Sequence, residues 1–194
     1  MPYSPGHKAR TRARIVEAAR RLFNDRGFEQ VTIDQIMAAA GLTRGGFYHH
    51  FDSKDQLYAA AVASYATSNP LAVSVATSKR PMPDAQTLAR TLVEFYLSDV
   101  VFDNADMHCP LYALPADVAR AGLPPQQAYT NLIRGMAQIY RAALPHVRDA
   151  ERRAETIVSL CVGGMVLART TNDPTLRRSL RKAAKHQALA LLEA

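Results

Sequence analysis

The stretch from Thr32 to Phe51, "TIDQIMAAAGLTRGGFYHHF", decides how the chain is read. Ile33, Ile36, Met37 and Ala40 recur on one helical face, and Thr32 with Gln35 three residues on has the form of a capping box. Gly41 stops that helix, and Thr43 stands where an N-cap would open a second short one. Two short helices joined by a glycine-containing turn make a helix-turn-helix. The second begins with Arg44, Gly45 and Gly46 and crowds Phe47, Tyr48, His49, His50 and Phe51 into its last turn. Helix propensity does not explain that composition. Where such a motif binds DNA, the first residues of its second helix enter the major groove, and small side chains there let the backbone approach the bases. Phe47 and Phe51, four apart, share a face and are expected to lock the short helix onto its neighbours. Tyr48 and His49 then point elsewhere and suit phosphate oxygens, while Thr43 and Lys54 add a hydroxyl and a cation. Arg44 is the expected bidentate reader of guanine. His49 and His50 are no metal chelate, because adjacent helical residues do not share a face.

The flanks read as helix. Ile15, Ala18, Ala19, Leu22 and Phe23 form one stripe, ended by Gly27. Ser53 and Gln56 suggest a second capping box, opening a longer helix through Leu57, Ala61 and Tyr65 that kinks or stops near Asn69-Pro70. "SKRPMPD" at 78–84 is breaker-rich and is expected to separate two parts of the chain. Beyond it, Leu88, Leu92, Phe95, Tyr96 and Val100 make a stripe, Pro110 and Pro124-Pro125 start new segments, and two long helices run over about 149–170 and 175–192. Alternating strand patterns and internal repeats are missing.

The net charge of +7 points to an anionic partner, and its placement sharpens the point. Lys8, Arg10, Arg12, Arg14, Arg20, Arg21 and Arg26 face only Glu17, Asp25 and Glu29 before residue 31. Two cysteines, Cys109 and Cys161, fit free thiols in a reducing compartment, and no stretch is apolar enough for a membrane span. A cytoplasmic location is the expectation. GxSxG, HExxH and P-loop spacings are absent, so no enzyme, metal or cofactor is expected.

The stretch "TIDQIMAAAGLTRGGFYHHFDSKDQLYAAAV" from Thr32 to Val62, preceded by "RIVEAARRLFNDRGFEQV", closely resembles the DNA-binding domain of the TetR/AcrR family of bacterial transcriptional repressors. The resemblance covers residues 8–65. It implies an all-α fold, with a three-helix DNA-binding domain over 8–68 and a helical ligand-binding and dimerisation domain over 69–194. It further implies phosphate contacts from Thr32, Tyr48, His49 and Lys54, with Thr43, Arg44, Gly45 and Gly46 facing bases in a palindromic double-stranded operator. Gly46 departs from the commoner Thr, Ala or Ser, which removes one side chain from that set.

For the second part the resemblance implies a small-molecule effector. Candidate ligand residues are Phe95, Tyr96, Phe102, Met107, Cys109, Tyr112, Tyr129, Met136 and Tyr140, which place aromatics, thioethers and hydroxyls on the central helices. The near-neutral charge of 61–144 favours an apolar or aromatic ligand. Gly163-Gly164 inside an apolar helix suggests close helix approach at a homodimer interface. The helix that starts at Ser53 is the expected coupler between ligand and DNA. Cys109, before Pro110, is expected at a helix N-cap, where amides, dipole and a protonated His108 would favour thiolate. A repressor switched by electrophilic or oxidative modification of Cys109 is therefore the alternative.

Overall fold

The computed structural model describes residues 5–70, 73, 77 and 81–193. The first helix, α1 (Pro5–Arg26), ends at Gly27, whose φ of 81° only a glycine adopts freely. The second, α2 (Ile33–Ala39), opens on the expected reciprocal cap between Thr32 and Gln35 and stops at Gly41, φ 66°. Arg14 of α1 donates to the Ala40 carbonyl and so fastens the turn to the first helix.

The second helix of the motif differs from expectation. Arg44–His49 is a 3-10 helix, and Thr43 occupies the N-cap without a side-chain cap bond. Two glycines in a six-residue segment provide neither the length nor the propensity for an α-helix. α3 (Lys54–Ser68) follows. Ser53 accepts from the Gln56 amide as expected, but the Gln56 side chain takes the Asp52 N–H, one residue earlier than a reciprocal box requires. α3 ends at Asn69; of the link at 78–84, residues 78–80 lie outside the described set and 81–84 are not helical.

The remaining long helices are α4 (Ala85–Tyr96), α8 (Leu123–Ala142), α9 (Ala150–Thr170) and α10 (Pro174–Glu193). Between α4 and α8 the chain forms α5 (Asp99–Asp103), a 3-10 turn (Ala105–Met107), α6 (Pro110–Ala113) and α7 (Pro115–Arg120). Val100 does not extend the α4 stripe; it sits exposed on α5, and the buried face of α4 is Ala89, Val93 and Tyr96. No strand occurs among the described residues.

Two apolar cores form. The first gathers Ile15, Phe23, Ile36, Met37, Phe47, Phe51, Leu57 and Tyr58, and it also takes in Leu114 and Val118 from the α6–α7 region. The second joins Val93 and Tyr96 to Met136, Tyr140, Ile157, Cys161, Met165, Ala184 and Leu192. Each fully buried side chain of this size contributes about 1.5–3 kcal/mol of transfer free energy.

The two glycines of α9 have different surroundings. A Cβ on Gly164 would lie 2.7 Å from that of Ala184, so Gly164 lets α9 and α10 of one chain approach. Gly163 has no atom within 4 Å of that point. Gly164→Leu is therefore expected to destabilise the fold by about 1–3 kcal/mol through overpacking, read as a lowered Tm, while Gly163→Leu leaves the Tm of the subunit nearly unchanged.

Candidate nucleic-acid interface and ligand cavity

At the helix-turn-helix, burial sorts the residues. Phe47 and Phe51 are fully buried, their rings stacked at 5.9 Å, and the Arg12 guanidinium lies 4.6 Å over Phe51. Tyr48 is 61% exposed, which excludes a core role; its ring stands edge-on against Phe47 with the hydroxyl free to face solvent. Thr32, Thr43, Arg44, Gly45 and His49 are exposed, and Gly46 is half-buried over the Met37 methyl. Together they form one surface. Lys54 belongs to it only in part, since its ammonium donates to the Phe28 carbonyl at 2.6 Å and rests over the Phe28 ring. Burial lowers its pKa, opposed by Glu29, Asp55 and Asp117. Arg44 is not free in this state: Nη1 donates to Asp34 Oδ2 at 2.6 Å. The pKa of His50 is lowered first by burial and then by the positive neighbours Lys8, His49, Arg12 and His7.

A cavity of about 370 Å³ opens among α3, α4, α6 and α8. Of the nine expected ligand residues, Phe95, Tyr96, Cys109 and Met136 line it. The other five do not. Tyr140 is wholly buried with its hydroxyl 3.8 Å from the Cys161 sulfur, Tyr129 donates to the Leu111 carbonyl, and Phe102 lies under the Arg181 guanidinium at 4.3 Å. Tyr112 packs edge-on behind Tyr96, and the Met107 carbonyl accepts from Tyr65. Sequence reasoning missed Tyr65, Asn69, Leu92, Leu111, Asn131, Gly135 and Ile139, which also line the cavity. Asn131, Gly135 and Ile139 recur every four residues on α8; that spacing was a signal for a shared face, though not for which face lines the hole. No charged side chain lines it among the described residues.

Cys109 does stand at the N-cap of α6, yet the thiolate expected there does not form. The residue is 1% exposed, α6 has only four residues, and burial pushes the thiol up to about 12 against the lowering effects of the Leu111 amide and the Tyr96 and Tyr65 hydroxyls. His108 gives no help. Burial and then the Arg169 cation lower its pKa, and the neutral ring fits a tautomer that accepts from Arg169 at Nδ1 and donates from Nε2 to the Phe102 carbonyl. Cys161 is likewise buried and raised to about 12.

The segment carrying these residues bridges the two cores. Asn24 of α1 donates to the His108 carbonyl at 2.7 Å, Arg20 reaches the Asp106 carbonyl, and Asp117 of α7 accepts from the Phe28 amide at the end of α1. Leu111, three residues before Leu114, lines the cavity.

The fold presents a helix-turn-helix, the architecture of a DNA-binding module, with an exposed second element. Residues 15–61 match the model for "Bacterial regulatory proteins, tetR family". The chain is 31% identical over 93 residues to the transposon Tn10 TetC protein of Escherichia coli, covering 48% of this chain and 46% of TetC. It is 28% identical over 155 residues to the regulator TtgR of Pseudomonas putida, covering 74% and 73%. Its match thus spans about half the length of the first of these relatives and nearly three quarters of the second. The reduced form of E. coli NemR superposes with a TM-score of 0.74 at 17% identity, over 92% of this chain and 95% of that one. Residues 15–61 are thus a DNA-binding region of the TetR type, and the likeness to TtgR extends beyond it.

The burial of both thiols has a direct readout. Neither Cys109 nor Cys161 is expected to react appreciably with a thiol-directed disulfide reagent in the native protein at pH 8, and both should react once urea unfolds it; fast native labelling of Cys109 would contradict the raised pKa.

Proposed function

We propose that the protein is a homodimeric repressor that holds a palindromic operator and releases it when a neutral, apolar or aromatic small molecule fills the cavity. The observation that carries the reading is a cavity with no charged lining residue among the described residues, walled by the same α3 and α6 that enter or tie to the DNA-binding core. An ionic ligand would find no counter-charge among these described lining residues and would lose hydration without compensation. Tyr65, Tyr96, Asn69 and Asn131 supply the polar groups that would orient a neutral one.

The switch follows from linkage. A ligand changes DNA affinity only by binding two arrangements of the protein differently. Two paths run from the cavity: α3 itself, through Tyr65, and the 104–120 segment, through Leu111, His108 and Asp117. Homodimerisation is supported by exposed Leu167 and Leu176 on α9 and α10 and by the open space over Gly163. Two recognition elements about 34–36 Å apart, or a multiple of one turn, would match operator half-sites.

Selection from a random duplex library with the full chain, followed by footprinting, tests the DNA reading: one discrete palindrome supports it, and broad protection counts against it. Arg44→Ala is expected to weaken the selected operator by about 1–3 kcal/mol while the fold persists. Tyr48→Phe should weaken operator and random DNA by similar factors, since a phosphate contact positions without specifying.

Gly135 separates ligand response from DNA binding. A Cβ there meets nothing within 4 Å, and the residue lines the cavity, so Gly135→Leu is expected to fill space without a clash and to gain helix propensity. Operator affinity should stay within about twofold, while effector-driven release, measured by anisotropy with whichever neutral compound releases the parent, should be lost. Gly163→Leu should shift the dimer toward monomer on ultracentrifugation at low micromolar concentration.

A further inference from the structure

We infer that Asp34 is a specificity-determining residue, which positions Arg44 for base reading and keeps it from binding phosphate; this rests on the reading of Arg44 as the base-contacting residue. Asp34 lies in the first turn of α2 and Arg44 opens the second element of the motif, ten positions later, so the exposed pair ties the two elements together across the turn. Their separation is 2.6 Å, with 63% of the Arg44 side chain and 56% of the Asp34 side chain exposed. An ion pair that open to solvent contributes little to stability. A carboxylate on a surface that meets phosphates is also unfavourable for binding, because it repels every DNA equally. Lys8, Arg10, Arg12 and Arg14 are exposed on the adjoining α1, a set of cations that would attract the DNA backbone.

The geometry gives the carboxylate a use. Asp34 engages one Nη of a guanidinium that has five donors, which leaves donors for guanine O6 and N7 while the side chain is held in one direction. A lone arginine on a flexible stem would instead pair with whichever phosphate is nearest. On random DNA the Asp34 charge then costs affinity with no compensating base contact, and on the operator the pre-set Arg44 recovers it. Discrimination comes from repulsion as well as attraction.

The test measures affinity of the full chain for its selected operator and for a random duplex of equal length, across a salt series. Asp34→Asn keeps the size and the acceptor oxygen but removes the charge. It is expected to bind random DNA about three- to tenfold more tightly, with the operator-to-random ratio falling about tenfold and Tm unchanged. The slope of log K against log salt on random DNA should steepen by roughly 0.9 for each phosphate contact that Arg44 gains. Asp34→Glu should restore much of the ratio, and adding Arg44→Ala to Asp34→Asn should return the slope to that of the parent. An unchanged ratio in Asp34→Asn, or a slope that stays steep in the double variant, overturns the proposal. If the parent itself selects no sequence, the regulator reading falls with it; if the parent selects one and Asp34→Asn matches its ratio, this proposal alone is wrong.

Discussion

A six-residue 3-10 segment with two glycines cannot hold its own shape, so the recognition surface depends on where Phe47 and Phe51 are seated. Their rings stack on each other and enter a core made by Phe23 of α1, Ile36 and Met37 of α2, and Leu57 and Tyr58 of α3. That core is completed by Leu114 and Val118, more than fifty residues further along the chain. The direction in which Arg44 and Tyr48 face is thus set partly by residues that belong in sequence to the other half of the molecule.

In the proposed repressor, the same packing would link the cavity to DNA binding. Leu111 lines the cavity and Leu114 fills the DNA-binding core, one helical turn apart on a short stretch also fastened to α1 through the His108 carbonyl and to its end through Asp117. On that proposal, a ligand displacing Leu111 would strain those bonds unless the segment bent between them. α3 provides a second route, with Tyr65 at the cavity and Leu57 and Tyr58 under the recognition element. Tight packing makes such linked elements move as units rather than yield locally.

The polar groups near the cavity show burial winning over local chemistry. Backbone amides and tyrosine hydroxyls around Cys109 all favour its thiolate, yet desolvation outweighs them and the thiol stays protonated. The pKa of His108 is lowered for the same first reason, with Arg169 as the second. The likeness to the regulator TtgR is in keeping with a regulator, while the likeness to the reduced form of NemR, at 17% identity, speaks for the fold alone.

Much of this was written in the local sequence, because caps, stops and helical stripes depend on neighbours within four or five residues. The Thr32–Gln35 box, the stops at Gly27 and Gly41, the buried Phe47–Phe51 pair and the extents of the two last helices were all legible in that way. The single shift at Gln56, which prefers the Asp52 amide, is a choice between two donors one residue apart that periodicity does not distinguish. Tertiary structure decided what lies beyond that range. It sent Gly164 against Ala184 within one chain, left Gly163 open, turned Asn131, Gly135 and Ile139 toward the cavity while burying Tyr140 against Cys161, and withdrew Cys109 from water. A helix has several faces able to bury apolar residues, and only the placement of the neighbouring helices determines which one meets a partner, which one meets a hole, and how far a thiol is from solvent.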